Sequence, residues 1–257
     1  MRNNFFVAGL FILIFQMSCS QEKQLRVMKQ FKKVIIVDIN TNVIIPWAGK
    51  EKKRDTTASD LKAFGKMMGI KKIESSASDA EEMMNQTTKE TINNIGKIIV
   101  RNLTASQVFL LVPYKSVDKA KISRKSVYGS LAYKKDRARP KGYEYFDPSI
   151  KNVNKTCKAL GLDAVVAIKC DYKRVVAYGN QAKFGKMYVT ATMEMSVYDN
   201  KGSRLWSNTA TRESSDKFKV TDGKYDTKKH DKAIISATEN AGRYLFNDLK
   251  KKLRKIK

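Results

Sequence analysis

The chain has 257 residues, with 51 Lys and Arg against 25 Asp and Glu, which gives a net charge of +26. This length is sufficient for one sizeable α/β domain, or two small ones, with a hydrophobic core. Only three cysteines are present, which excludes a scaffold held together mainly by disulfides.

The first residues have the three-part pattern of an export signal. Arg2 supplies a positive start, an apolar run extends from Phe5 to Phe15, and the small residues Ser18 and Ser20 flank Cys19. The apolar run is too short to be a permanent membrane span. The pattern therefore predicts a signal peptide over residues 1–18.

Cys19 indicates acylation. A cysteine after a small residue at the end of a bacterial export signal resembles the lipobox of bacterial lipoproteins, in which the sulfur is acylated and the chain is cut just before it. Gln16 stands where lipoboxes usually carry Leu, so cleavage by an ordinary signal peptidase after Ser20 is the alternative. We predict lipidation at Cys19, where a triacylated, palmitate-bearing N-terminus would hold the mature chain to a membrane.

The predicted export changes the meaning of the positive charge. A net charge of +26 would ordinarily indicate nucleic acid binding. Outside the cytoplasm the available polyanions are lipid headgroups, cell-wall polymers and acidic glycans, so no nucleic acid partner is expected. A lysine-rich surface would be attracted to any of these.

The first half of the domain predicts a parallel strand pair. Residues 19–33 are polar and predict a tether. Val34–Ile39 is rich in β-branched residues and predicts a buried strand, Asp79–Asn102 has the apolar spacing of an amphipathic helix, and Gln107–Pro113 predicts a second strand. Strand, helix and strand in this order are typical of a parallel crossover.

An irregular basic insertion occupies about residues 116–148. Its Lys and Arg residues are interleaved with aromatic residues such as Tyr143, Tyr145 and Phe146. Such a stretch either forms a recognition surface or covers the body of the domain with its rings. The candidate residues for an electrostatic contact are Lys134, Lys135, Arg137 and Arg139.

After the insertion, the pattern predicts a short helix and an antiparallel meander. Val153, Cys157 and Leu160 share one helical face, and Gly161 follows as a left-handed terminus. In Ala164–Tyr172 the residues Val166, Ile168, Cys170 and Tyr172 alternate with Lys169 and Asp171, and Met187–Tyr198 alternates strictly between apolar and polar residues, as half-buried strands do. Met193 and Met195 are predicted to face the buried side of the sheet and Thr192 the other side.

The chain closes with a strand and a helix. Leu205 and Trp206 belong to a third antiparallel strand, and Ile234–Ile256 has apolar residues at helical spacing. The fold class is therefore α/β. We predict one domain over residues 34–257, with a mixed sheet that combines the parallel N-terminal pair with the C-terminal meander and is flanked by helices.

No catalytic, metal or cofactor site is predicted. His230 is the only histidine and is expected to be solvated at a helix start, which disfavours a His-based zinc site. Neither a nucleophile elbow nor a phosphate-binding loop occurs in the sequence. Cys157 and Cys170 are interpreted as buried thiols, with a disulfide between them left open.

Two segments resemble a known superfamily. Cys157–Tyr172 reads CKALGLDAVVAIKCDY, and Val197–Ser207 reads VYDNKGSRLWS. They resemble exported lipoproteins that include the curli secretion channel lipoproteins and the lipoprotein activators of penicillin-binding proteins. The insertion is too charged to supply the membrane-inserting hairpins of the curli channel.

The resemblance implies a non-enzymatic lipoprotein of the bacterial cell envelope, membrane-anchored and exposed to the periplasm or the cell surface. Its expected partner is another envelope protein or a second copy of itself. The alternative is a lysine-rich module that binds an anionic envelope polymer.

Overall fold

The computed structural model describes residues 21–42, 45–48, 88–114, 137–143, 145–179, 184–222 and 224–256. These ranges contain four helices and eight strands. The helices are α1 (residues 21–29), α2 (Lys89–Ser106), α3 (Ile150–Leu160) and α4 (Thr227–Lys255). The strands are β1 (Lys33–Asn42), β2 (Leu110–Val112), β3 (Arg137–Ala138), β4 (Ala164–Gly179), β5 (Phe184–Asp199), β6 (Arg204–Glu213), β7 (Phe218–Thr221) and β8 (Lys224–Tyr225).

The strands form one mixed sheet in the order β2-β1-β4-β5-β7-β8. β1 is parallel to both β2 and β4. The pairs β1–β3, β4–β5, β5–β6, β5–β7 and β7–β8 are antiparallel. β3 extends the β1 edge beyond β2, and β6 pairs with β5 beyond β7. The predicted fold class, a parallel pair joined to an antiparallel meander, is confirmed.

One face of the sheet carries the main core. Alternate residues of β4 and β5 point into it, and α1, α2 and α4 cover it with their apolar stripes. Met193 and Met195 are fully buried there, as predicted. Its other members include Ile36, Ile95, Ile99, Leu103, Ile168, Ile234, Ala241 and Leu245.

The opposite face is covered only in part. α3 packs Val153 and Cys157 against Ile35, Val37 and Val165 in a smaller core. Gly161 ends α3 at φ 61°, the left-handed terminus that the sequence predicted. Away from α3 this face is polar, and the hydroxyls of Thr192 and Thr211 hydrogen-bond across β5 and β6 at 3.0 Å.

Several boundaries differ from the prediction. α2 begins at Lys89 rather than Asp79, because the Thr88 side chain caps it by accepting from the Thr91 N–H; residues 79–87 lie outside the described residues. Gln107 adopts a left-handed conformation at the end of α2, so the following strand begins only at Leu110. β4 continues seven residues beyond Tyr172, to Gly179.

The structure corrects the prediction of a tether over residues 19–33. Residues 21–29 within it form α1, which buries Leu25 and Met28 in the main core. These two apolar residues are three positions apart and therefore lie on one face of the helix, which gives an otherwise polar segment a docking stripe. The predicted signal peptide and Cys19 lie outside the described residues.

The two later cysteines are free and buried, as interpreted from the sequence. Cys157 belongs to the smaller core under α3, and Cys170 belongs to the main core on the other face of the sheet. Because the sheet separates them, they are not placed to form a disulfide.

Candidate binding surface

The first candidate residues, Arg137 and Arg139, lie at the β1 edge of the sheet. β3 holds Arg137 there by pairing with Thr41 and Asn42 of β1. The Nε and Nη2 atoms of Arg137 donate to Asn40 Oδ1 at 2.9 and 2.5 Å, and its Nη1 donates to Asp171. Arg137 therefore connects two parallel strands of the sheet.

Arg139 makes the matching contact with β1. Its Nε donates to Asp38 Oδ1 at 2.8 Å, and its guanidinium lies 5.1 Å from the centre of the Tyr145 ring. A β-bulge between Ile36 and Asp38 turns this carboxylate toward the partly open face. Burial raises the pKa of Asp38, and the hydrogen bond and charge of Arg139 oppose that shift.

Asp171 is the second carboxylate of this network. Its Oδ2 lies 3.0 Å from Lys169 Nζ, and its other oxygen accepts from Arg137. Burial acts to raise the pKa of Asp171, but the contacts with Arg137 and Lys169 outweigh it and the pKa is lowered. The network therefore holds Asp171 as an ionised partner of two cations.

Two of the four cations predicted to make an electrostatic contact are paired within the protein. The side chains of Arg137 and Arg139 are only 14% and 17% exposed, because each is paired with a carboxylate of the sheet. Lys134 and Lys135 lie outside the described residues. Binding by these four cations stays a prediction, and the two arginines also tie the insertion to the sheet.

The aromatic residues of the insertion cover the domain where they are described. Phe146 is buried under α3, and Tyr143 packs against Tyr114 with ring centres 4.4 Å apart. Burial and the nearby Tyr114 raise the pKa of Tyr143 to about 12. These rings therefore belong to the packing rather than to an exposed stacking platform.

An exposed apolar patch lies at the far end of the β4–β5 hairpin. Tyr178 and Phe184 form this patch, here called the hairpin tip, and their side chains are 67% and 56% exposed. Tyr178 and Phe184 contact edge to face, with ring centres 6.3 Å apart. Both belong to strands and not to the connecting loop, so their positions are set by the sheet ladder.

Gly179 closes the backbone beneath this pair. It has φ 82°, and a Cβ built on it would lie 2.3 Å from the carbonyl oxygen of Phe184. Only glycine permits so close an approach of the two strands. The glycine therefore keeps Tyr178 and Phe184 side by side.

A buried arginine fixes the base of the hairpin tip. Arg174 is 2% exposed, and its Nε and Nη2 donate to the carbonyl oxygen of Ile45 at 3.0 and 2.5 Å. Its guanidinium also stacks on Trp47, 4.6 Å from the ring centre, and donates to the Tyr225 hydroxyl. Arg174 thereby joins residues 45–48 and β8 to the upper part of β4.

His230 lies beside this arginine cluster and corrects the sequence prediction of a solvated residue. It is 3% exposed, with its ring 5.2 and 5.0 Å from those of Phe218 and Tyr225. The β7–β8 hairpin folds over the first turn of α4 and covers it. Burial lowers the pKa of His230, and Arg174 acts in the same direction while Asp231 opposes it.

Sequence reasoning missed both the hairpin tip and its support. The sequence around Gly179 and Gly185 was interpreted only as a turn. Turns favour small polar residues, so the aromatic residue beside each glycine was the available signal of an exposed aromatic pair. Arg174 occupies an inward position on the β4 alternation that begins at Val166. A charge continuing an apolar alternation was the signal for a buried cation.

The described residues contain no group of three or more His, Cys, Asp and Glu side chains that could hold a metal ion. Burial raises the pKa values of Cys157 and Cys170 to about 12, so both thiols are protonated at neutral pH. Across the described ranges, no helix is both long enough and apolar enough to span a membrane.

Comparison with known proteins adds only distant structural matches. No family model matches the chain, and no curated protein matches it. It is similar to the LpoB C-terminal domain from Salmonella enterica, with 9% identity, coverage of 75% of this chain and 94% of that chain, and a TM-score of 0.28. The LpoB C-terminal domain from Escherichia coli gives 11% identity, coverage of 70% and 81%, and a TM-score of 0.25. These TM-scores are too low to establish the fold family or the function of this chain. The resemblance drawn from the sequence stays a prediction.

Proposed function

We propose that this chain is a non-enzymatic lipoprotein of the bacterial cell envelope, anchored at Cys19, whose domain binds another envelope protein through the hairpin tip. The observation that carries the proposal is the exposure of Tyr178 and Phe184 on two paired strands of the sheet. The two are the most exposed aromatic side chains among the described residues, and their rings contact each other. Apolar groups gathered on a surface in this way are typical of interaction sites.

The geometry of the hairpin tip suits a protein partner. Aromatic side chains dominate the binding energy of many protein interfaces, especially when they are held in position before binding. Tyr178 and Phe184 are aromatic, and both belong to strands whose backbones approach closely at Gly179. A second copy of the chain could also bind through exposed aromatic side chains. Crosslinking distinguishes such self-association from binding to another envelope protein.

Site-specific photocrosslinking in the cells that make the protein tests the proposal. A photoreactive residue in place of Lys186, which is exposed and pairs with Tyr178, should form an adduct with one envelope protein. The Y178S/F184S double variant should lose that adduct. Tyr244→Ser removes an aromatic ring that is 50% exposed on α4 and should leave the adduct unchanged.

The outcomes separate the possible partners. An adduct of twice the protein's own mass identifies self-association, whereas an adduct that persists in Y178S/F184S contradicts the role of the hairpin tip. Capture that disappears on adding salt, with no effect of the aromatic substitutions, would instead favour the lysine-rich polymer-binding alternative, because polyelectrolyte binding weakens steeply with salt.

A further inference from the structure

The two ends of the described chain meet at one end of the domain. α1 lies against the last turn of α4, where Lys29 Nζ donates to the Ile256 carbonyl oxygen at 2.6 Å. Leu25 and Met28 fix α1 to the main core. α1 is therefore a part of the folded body at the position where the chain enters it.

This end of the domain is strongly basic. Residues 21–33 carry five Lys and Arg and one Glu, and residues 250–256 carry five Lys and Arg and no acidic residue. We call these two segments together the basic end. Most of its cations are exposed, among them Lys251, Arg254 and Lys255. The exposed Arg204 of β6 adds a further charge, in a cleft that it lines together with Gln21 and Gln24 of α1.

The carboxylates nearest the basic end are already engaged within the protein. Glu22 Oε1 lies 2.8 Å from Arg26 Nη2, and Asp248 Oδ2 lies 2.8 Å from Lys252 Nζ. Asp163 Oδ2 accepts from the backbone N–H groups of Lys32 and Lys33 at 2.7 and 2.8 Å. The surface of this end is therefore left with a large excess of positive charge.

The basic end and the hairpin tip are at opposite ends of the long strands. Asp163, which contacts the start of β1, directly precedes β4, whereas the hairpin tip is formed by the last residues of β4 and the first of β5. β4 has 16 residues, so the two ends are separated by roughly 50 Å.

We propose that the basic end lies against an anionic lipid headgroup surface and holds the domain upright, so that the hairpin tip points away from the membrane. The proposal rests on the proposed lipid anchor at Cys19, which precedes Gln21 by only two residues. An acyl anchor fixes one point of the protein, and a cluster of cations beside it supplies the second attraction that determines orientation.

Energy transfer on vesicles tests this orientation. The full acylated protein, carrying a dye at Lys186→Cys near the hairpin tip, is reconstituted into vesicles that contain an acceptor in the headgroup region. In vesicles containing phosphatidylglycerol, energy transfer should be low because the dye is held away from the surface. In vesicles of phosphatidylcholine alone, energy transfer should rise because the domain can tilt. Equal transfer in the two lipids would overturn the proposal.

Two matched charge variants locate the effect. K251Q/R254Q/K255Q removes three exposed charges from the basic end, and in anionic vesicles it should show the high energy transfer of the wild type on phosphatidylcholine. K219Q/K224Q/K228Q removes three exposed charges near the hairpin tip and should behave as the wild type does. Equal effects of the two triple variants would contradict the proposal, since net charge alone would then explain the orientation.

The mass of the N-terminal peptide separates this inference from the anchor on which it rests. If Cys19 carries no acyl group, the lipid anchor is refuted. Sedimentation of that same protein with vesicles then tests whether the basic end binds lipid without an anchor. Binding to phosphatidylglycerol vesicles that only K251Q/R254Q/K255Q abolishes would still support the basic end as a lipid-binding surface. Binding to neither kind of vesicle would overturn it.

Discussion

Arg139 Nε lies 2.8 Å from Asp38 Oδ1, so the end of the basic insertion is paired with the interior of β1. The two side chains are 17% and 9% exposed. An ion pair this far from water stabilises the fold chiefly because neither charge is left alone.

We expect Arg139→Ala to lower the free energy of unfolding by about 3 kcal/mol, because it leaves the Asp38 carboxylate buried without its main partner. The double variant R139A/D38N should recover a large part of this loss. Urea denaturation measures both, with the exposed Lys141→Ala as control, for which a change within about 0.5 kcal/mol is expected. Equal effects of Arg139→Ala and Lys141→Ala would show that the pair is unimportant.

His230 should make the domain less stable in mild acid. Its folded-state pKa is lowered by burial, so the unfolded chain binds the proton more readily than the folded chain. The stability contributed by neutral His230 is complete above its unfolded pKa of about 6.5 and is lost as the pH falls below it. His230→Phe keeps an aromatic ring against Phe218 and Tyr225. Between neutral and mildly acidic pH, its melting temperature should fall less than that of the wild type. Identical pH profiles of the two proteins would contradict this assignment.

The two faces of the sheet should respond differently to a buried charge. Met195→Asp and Val165→Asp each place a carboxylate in a sealed core, one on each face, and should cost at least about 3 kcal/mol. Thr192→Asp lies on the open part of the second face and should cost about 1 kcal/mol or less, mainly through the lost contact with Thr211. Thermal unfolding of the three variants checks the order, and damage from Thr192→Asp equal to the others would mean that this region is covered.

Cys19→Ala tests the predicted lipid anchor. If the sulfur is acylated, the variant should leave the membrane fraction or remain unprocessed with its signal peptide attached. Fractionation and the mass of the intact protein provide the readout. A Cys19→Ala protein that is correctly cut and still membrane-bound would refute the lipoprotein assignment and favour cleavage after Ser20.

The sequence determined the local elements and their inward faces. Alternation in β4 and β5 and helical spacing in α3 and α4 report the direction of each side chain, which is set by backbone geometry alone. For this reason Met193, Met195, Val153 and Cys157 were placed correctly without knowledge of their neighbours. The parallel pair and the meander followed from the order of these elements.

Only the tertiary structure decided which polar residues are buried and which apolar residues are exposed. Arg139 donates to Asp38, and Arg174 donates to the carbonyl oxygen of Ile45. In each case the two partners are more than 100 residues apart in the sequence. Such partners depend on how strands are brought together, and no local pattern encodes them. The packing of α1 likewise depends on the tertiary structure. Leu25 and Met28 have a core to pack against only when the distant sheet has formed. This packing makes a segment that was predicted as a tether into one side of the basic end.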